Sequence, residues 1–235
     1  MRLRTGTTTT LAALLVLVAA AWAISVRRMT GMEMGMGLGS LSAFIVTWTA
    51  MMAAMMVPSA LPAALELDGL APLRFTASYV VVWGIAGFAA YAAYRGIHAG
   101  GAAVVLAAAA YELTPLKDVC LGKCRSPLGF LLGSWRDGAP GGLQMGIKHG
   151  AWCIGCCWAL MASLFALGVM SIVWMAFVAG VIAVEKLVPW PRAATYGTAV
   201  VLLVIGVLML AAPGTIPALT IPGSGTTSQM NQMGP

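Results

Sequence analysis

The sequence predicts an all-α protein, a polytopic transmembrane helical bundle with about seven spans. Of its 235 residues, 60% are hydrophobic and only 9% are charged, whereas a soluble domain carries charge on about a quarter of its residues. Apolar runs long enough to cross the roughly 30 Å of hydrocarbon in a bilayer recur along the chain. The basic residues stand singly between these runs, so the net charge of +6 reflects membrane orientation and does not indicate a nucleic-acid partner.

The apolar runs define seven candidate spans, at residues 11–26, 41–57, 76–94, 101–113, 149–167, 170–184 and 195–212. The second is expected to stop at Pro58, because proline lacks the N–H that continues a helix. The fourth is short, but the positive-inside rule favours it. With the N-terminus inside, the inner segments hold ten basic residues and the outer segments hold three. Without the fourth span, the loop of residues 112–148 would place five basic residues outside.

The first span, within residues 1–26, has two interpretations. Its two early arginines, its apolar core and Ala21-Trp22-Ala23 resemble a cleavable secretory signal. Cleavage would leave six spans with the same orientation. The bulky residues after Ala23, followed by Arg27 and Arg28, favour a retained transmembrane helix instead. The predicted location is a bacterial inner (plasma) membrane, which the chain crosses several times. The N-terminus is expected in the cytoplasm, and the lipid bilayer is expected to surround the bundle.

Three further regions follow the first span. Residues 27–40 are expected to form a Met-rich outer loop, and residues 41–212 the main transmembrane domain. The tail of residues 213–235, rich in Gly, Ser, Thr and Pro, is expected to be disordered.

The fifth span opens with a histidine and three cysteines that share one helical face, since their spacing is i, i+4, i+7 and i+8. These residues are His149, Cys153, Cys156 and Cys157. Imidazole and thiolate are good ligands for copper and zinc, and thiolate strongly favours Cu(I). Because the four residues extend over about 12 Å of helix axis, one ion cannot bind them all. A pair from this span, completed by ligands from other segments, is the workable geometry.

Other segments supply such ligands at the same expected depth. Four methionines precede the proline that ends the second span, two cysteines at i, i+4 precede the fifth span, and a carboxylate ends the sixth. These residues are Met51, Met52, Met55, Met56, Cys120, Cys124 and Glu185. We therefore predict a metal site between the second and fifth spans, near the cytoplasmic face. Its sulfur ligands favour Cu(I), with zinc as the alternative.

Packing without metal is the competing interpretation for several of these residues. Buried cysteine behaves as a small hydrophobe and methionine fills gaps, so packing is favoured for the four methionines taken alone. Glu185 and Lys186 are expected to meet lipid headgroups at a helix end. For His149 and the three cysteines of the fifth span, metal binding is favoured, because four such ligands rarely share one face by chance.

A second group of methionines lies in the expected outer loop, at Met29, Met32, Met34 and Met36. A glycine-rich loop has no core for them to fill, and thioethers bind Cu(I) outside the cytoplasm, where thiols oxidise. The loop resembles the Met-rich collection loops of copper transport proteins. A short segment resting on lipid is the alternative.

Four segments together resemble a family of bacterial predicted metal-binding integral membrane proteins, a domain of unknown function. They are residues 48–58, residues 113–127 with their two cysteines, residues 149–158, and Glu185-Lys186 followed by Pro189. The resemblance covers roughly residues 41–212 and implies the polytopic fold. The family's metal-binding description rests on these same Cys and His residues, and the Met-rich outer loop is not part of its pattern.

The predicted function is the handling of a soft metal, by transport or by delivery to a metalloenzyme, with a metallochaperone or membrane metalloenzyme as partner. One alternative is a membrane thiol-disulfide oxidoreductase that uses Cys153 and Cys156 with Cys120 or Cys124. Another is a structural or assembly subunit that binds no metal. The sequence contains no nucleotide motif and no Ser/His/Asp arrangement, so we assign no catalytic residue and do not expect ATP-driven pumping by this chain alone.

Overall fold

The protein is helical throughout the part that its structure, a computed structural model, describes: residues 5–30, 40–96, 100–134, 136, 138–168 and 171–211. This part contains nine helices and no strand, which confirms the all-α prediction. The helices are α1 (Thr5–Thr30), α2 (Leu41–Leu65), α3 (Ala71–Gly96), α4 (Gly101–Glu112), α5 (Pro115–Arg125), α6 (Pro127–Ser134), α7 (Gly138–Leu167), α8 (Ile172–Leu187) and α9 (Pro191–Ala211). The expected C-terminal tail and most of the expected outer loop lie outside the described residues.

Helix length supports five of the seven expected spans. The five helices that are long and apolar enough to cross a membrane contain the segments Thr7–Met29, Leu41–Leu65, Ala71–Ala93, Pro140–Leu167 and Arg192–Ala211. The helices at the fourth and sixth expected spans are shorter, with 12 residues in α4 and 16 residues in α8. A helix of 16 residues is about 24 Å long, which is less than the usual hydrocarbon thickness.

The expectation that the second span stops at Pro58 is wrong, because α2 continues through Pro58 and Pro62. A proline inside a helix leaves the carbonyl four residues earlier without its usual N–H donor. Here that carbonyl belongs to Ala54, and the indole Nε1 of Trp22 on α1 donates a hydrogen bond to it at 3.1 Å. A neighbouring helix thus replaces the missing donor, as in other tightly packed apolar bundles.

The fifth expected span also begins earlier than predicted, because α7 starts at Gly138 and not at His149. The added turns pack closely against α3. A Cβ atom at Gly142 would lie 2.7 Å from the carbonyl oxygen of Ala71, and one at Gly146 would overlap the backbone of Phe75. Glycines four residues apart allow such close helix contact. The cysteines consequently lie in the interior of α7, several turns from its N-terminus.

Interhelical contacts give the direction of each helix. On α2 and α3, the Trp48 indole donates to the Trp83 carbonyl at 2.8 Å, while the Tyr79 hydroxyl lies 3.4 Å from the Met56 carbonyl oxygen. These two helices are therefore antiparallel. Helices α3 and α7 are parallel, because Gly142 lies against Ala71 and Gly146, one turn later, lies against Phe75. The Tyr111 hydroxyl of α4 donates to the Gly155 carbonyl of α7 at 2.5 Å.

One end of the bundle therefore collects α5, the C-terminal ends of α4 and α8, and the N-terminal half of α7. We call it the cysteine end, because the cysteines of α5 lie there against those of α7. At this end, Lys117 of α5 forms ion pairs with Glu112 of α4 and with Glu185 of α8, and these ion pairs join the three helices.

Candidate metal centre

Three cysteines from two helices meet inside the cysteine end. Cys124 of α5 and Cys153 and Cys156 of α7 place their sulfur atoms within 4.8 Å of one another. The Cys156 and Cys124 sulfurs are 3.6 Å apart, and all three side chains are buried. We call this group the three-thiol cluster. Its sulfurs come from segments that are separate in the sequence, as the predicted site required.

Local sequence positions α5 so that Cys124 reaches α7. The Thr114 side chain accepts a hydrogen bond from the Lys117 amide, and Pro115 occupies the first helical position, both of which favour helix initiation. At the other end of α5, the Arg125 guanidinium donates to the carbonyl oxygens of Glu185 and Val188. These contacts attach α5 to the C-terminus of α8 and hold Cys124 against α7.

Polar groups from two other helices surround the Cys153 sulfur. The Tyr79 hydroxyl lies 3.0 Å from it and the Lys186 ammonium nitrogen lies 3.1 Å from it. Lys186 also donates to the Ser59 hydroxyl at 2.9 Å. An adjacent ammonium group favours the thiolate form of cysteine, which is the form that binds metal ions.

The other two cysteines are adjacent to the cluster but lie outside it. The Cys157 sulfur is 3.2 Å from that of Cys156. Cys120 packs against the backbone of α7, where a Cβ atom added at Gly155 would lie 2.6 Å from its sulfur. Burial raises the pKa of the Cys120 thiol, and a hydrogen bond to Cys153 raises the pKa of Cys124. Of the five predicted cysteine ligands, the structure therefore brings three together.

His149 lies one helical turn from Cys153 and is also outside the three-thiol cluster. Its ring is only 1% exposed and is enclosed by the rings of Phe75, Tyr79 and Phe130, at centroid distances of 5.6, 5.7 and 5.0 Å. Within the described part of the chain, neither ring nitrogen has a hydrogen-bond partner. The predicted histidine ligand is therefore buried near the cluster with both nitrogens unused.

The four predicted methionines, Met51, Met52, Met55 and Met56, are all buried in α2. The Tyr79 hydroxyl contacts both the Met56 carbonyl oxygen and the Cys153 sulfur. The turn of α2 that contains Met56 therefore lies next to the cluster. Farther along, Trp48 stacks on Phe165 with 5.6 Å between ring centroids. Because α2 and α7 are antiparallel in this register, Met55 and Met56 lie at the depth of the cysteines, and the other two methionines lie about one turn beyond.

The expectation that Glu185 and Lys186 meet headgroups is wrong, since both side chains are buried. The Lys117 ammonium lies 2.8 Å from a Glu185 carboxylate oxygen and also forms an ion pair with Glu112. Glu185 therefore belongs to a separate buried ion cluster, and its neighbour Lys186 is the residue that faces the thiols. Glu112 and Lys117 are isolated charges at the ends of apolar segments. Charges in such positions usually pair with one another, so the sequence did contain a signal for this ion cluster.

The outer methionines divide between the described residues and the rest of the chain. Met29, expected in a loop, lies instead in the last turn of α1 and is buried in the hydrophobic core. Its loop assignment is wrong because α1 extends past Arg27 and Arg28, four residues beyond the predicted boundary. Met32, Met34 and Met36 lie outside the described residues.

The chemistry of the donor set fits a soft monovalent ion. Its three sulfurs lie within 4.8 Å of one another, and Cu(I) prefers thiolate and thioether ligands. A fully buried metal site also needs its charge compensated, and Lys186 provides a cation at the sulfur of Cys153.

Comparison with known proteins found a family match. No curated protein and no solved structure is significantly similar to the chain. A family model described as PpoB2, copper chaperone, matches residues 45–209. This match extends from α2 to the last turn of α9 and contains every residue of the three-thiol cluster. The chain therefore belongs to the PpoB2 copper chaperone family.

Proposed function

We propose that this protein binds Cu(I) inside a membrane at the three-thiol cluster and delivers it to a metalloenzyme. The observation that carries the proposal is the convergence of three buried sulfurs from α5 and α7 within 4.8 Å. Delivery requires an acceptor, which we propose to be a membrane-bound or exported metalloenzyme or a metallochaperone. Movement of the ion across the membrane is the wider use that the same site permits.

Ligand softness favours Cu(I) over zinc in this surrounding, because thiolate strongly favours soft monovalent copper. The Lys186 ammonium lies at the sulfur of Cys153 and offsets part of the negative charge of the thiolates. Met55 and Met56 lie in the part of α2 at the depth of the cluster, and their thioethers are a ligand type that selects a soft monovalent ion.

The proposed setting is the inner membrane of a bacterial cell, with seven spans and a cytoplasmic N-terminus. Large apolar side chains on the outward face of α3 support contact with lipid, since Val81, Ile85 and Phe88 are each more than half exposed. The short helix α4 supports the fourth span: its Glu112 end lies at the cysteine end, while Gly101 packs against Ala166 near the far end of α7.

Charge also supports this orientation. Most basic residues of the described chain belong to segments at the cysteine end, which would then face the cytoplasm under the positive-inside rule. They are Arg74, Lys117, Lys123, Arg125, Arg136, Lys148, Lys186 and Arg192. Those at the opposite end are Arg27, Arg28 and Arg95.

A reporter experiment tests whether α4 crosses the membrane. Alkaline phosphatase is active only where its disulfides form, outside the cytoplasm. A fusion after Gly100 is expected to be active, and fusions after Leu67 and after Ser126 are expected to be inactive. Activity of the fusion after Ser126 would show that α4 does not span and would remove the seven-span arrangement.

Metal analysis tests the proposed cargo. We expect the protein purified in detergent to retain about one copper ion per chain, in the Cu(I) state that gives no paramagnetic signal. The measurement is elemental analysis combined with electron paramagnetic resonance, with a parallel preparation exposed to excess Zn²⁺ as the control. Zinc that displaces the copper, or a stable complex with a partner and no metal, would contradict the proposal.

The oxidoreductase alternative finds less support in the geometry. Thiol-disulfide exchange needs a cysteine that a partner can reach. Every cysteine of the chain is at most 5% exposed. A buried cluster suits retention of a metal ion better than reaction with an external thiol.

A further inference from the structure

A stripe of possible soft ligands continues from the three-thiol cluster toward the start of α7. Met145, His149 and Cys153 are spaced by four residues on this helix, so they lie on one face about 6 Å apart along the axis. All three side chains are buried. From the Gly138 side of α7 toward the three-thiol cluster, the stripe therefore offers a thioether, an imidazole and a thiolate in that order.

His149 is the unusual member of this stripe. Burial of a polar group without a hydrogen bond is costly, and most buried polar groups have a partner. Both nitrogens of His149 lack one among the described residues. Its three ring neighbours, Phe75, Tyr79 and Phe130, hold it by aromatic contact. A ligand that binds an imidazole nitrogen would explain why these nitrogens stay free.

We propose that His149 and Met145 form a second Cu(I) position, through which the ion leaves the three-thiol cluster toward the Gly138 end of α7. This inference rests on the proposed function and specifies the route by which the same cargo reaches an acceptor accessible from the cytoplasmic side, a metallochaperone or a membrane metalloenzyme. Imidazole and thioether both bind Cu(I), but more weakly than thiolates do. A weaker position next to a strong one suits a transfer step, because the ion can then be given up to an acceptor.

Transfer between the two positions is a ligand exchange. Bonds from copper to the His149 nitrogen and the Met145 sulfur form while its bonds to the sulfurs of the three-thiol cluster break, and the ion remains Cu(I). No oxidant or reductant is needed. The released Cys153 thiolate keeps a counter-cation, because the Lys186 ammonium lies 3.1 Å from its sulfur.

The aromatic wall around His149 suits this passage. Ring faces attract cations within about 6 Å of the ring centroid. An ion bound to the His149 nitrogen would lie near the rings of Phe75 and Phe130, whose centroids are 5.6 and 5.0 Å from the imidazole centroid. The wall also excludes water, so the ion moves between fixed ligands.

The test is the Cu(I) capacity of the purified protein in detergent, measured by titration against a chromophoric Cu(I) chelator. We expect the wild type to bind a second, weaker Cu(I) ion in addition to the tight one. His149→Phe keeps an aromatic ring in the cage but removes both nitrogens, and Met145→Leu nearly conserves volume. Each variant is expected to lose the weaker ion and to retain the tight one.

Matched variants separate the possible outcomes. Met161→Leu, at another buried methionine of α7, is expected to keep both ions, and His149→Gln repeats the test if the phenylalanine variant does not fold. A wild type with one ion, or a His149→Phe protein with two, would overturn the second position and leave the cluster intact. A wild type that binds no thiol-dependent ion would overturn the proposed function itself.

Discussion

Cys153→Ser is expected to lower the Cu(I) affinity of the protein by more than about a hundredfold, whereas Cys120→Ser is expected to leave it nearly unchanged. About a hundredfold is the upper end of the loss when a residue that only supports a ligand is replaced. Serine replaces a soft sulfur by a hard oxygen of similar size, so only a residue that binds the ion should respond strongly. Cys153 lies in the three-thiol cluster, while Cys120 packs against Gly155. Competition with a Cu(I) chelator measures both affinities.

This comparison tests the geometry and not only the presence of thiols. Both cysteines are buried, and both are among the ligands predicted from the sequence. Equal losses in the two variants would mean that Cys120 also binds the ion, in conflict with the structure. Unchanged affinity in Cys153→Ser would remove the cluster as the binding site. Circular dichroism of each variant confirms that the helical fold is retained.

The replacement Lys117→Met is expected to destabilise the protein by about 3–5 kcal/mol, the usual cost of leaving buried charges without their partner. Lys117 is fully buried between Glu112 and Glu185. Its removal leaves two carboxylates facing each other in an apolar interior. The loss is measured as the decrease in unfolding free energy in detergent.

Two further variants make this result specific. Lys123→Met, on the exposed side of the same helix α5, is expected to change stability by less than about 0.5 kcal/mol. Adding Glu112→Gln and Glu185→Gln to Lys117→Met should restore most of the lost stability, since neutral amides replace the repelling charges. A triple variant as unstable as Lys117→Met alone would mean that the lysine acts through packing and not through its charge.

The helical fold class and the apolar character of the helices could be predicted because they depend on local properties. Apolar runs and the scarcity of charge indicate helices for an apolar environment wherever they occur. Helix ends were less predictable. Pro58 failed to end α2 because Trp22 on another helix satisfies the freed carbonyl, and a local pattern contains no information about such a donor.

In the candidate site, too, some features could be predicted from the sequence and others could not. The spacing of Cys153 and Cys156 on one helix face was predictable from the helical period. The choice of Cys124 over Cys120 was not, because both lie at i, i+4 on α5. That choice depends on the rotation of α5, which Arg125 and Lys117 set through their contacts with α8.

By itself, the sequence determined an all-α, strongly apolar chain with a cysteine-rich face on one helix, because composition and helical periodicity are properties of consecutive residues. Only the tertiary structure decided that Lys186 faces the thiols and that Glu185 binds Lys117. It also decided that the two nitrogens of His149 lack a hydrogen-bond partner among the residues that the structure describes. Each of these outcomes depends on contacts between residues far apart in the sequence, whose relative rotation and depth are fixed only when the helices pack.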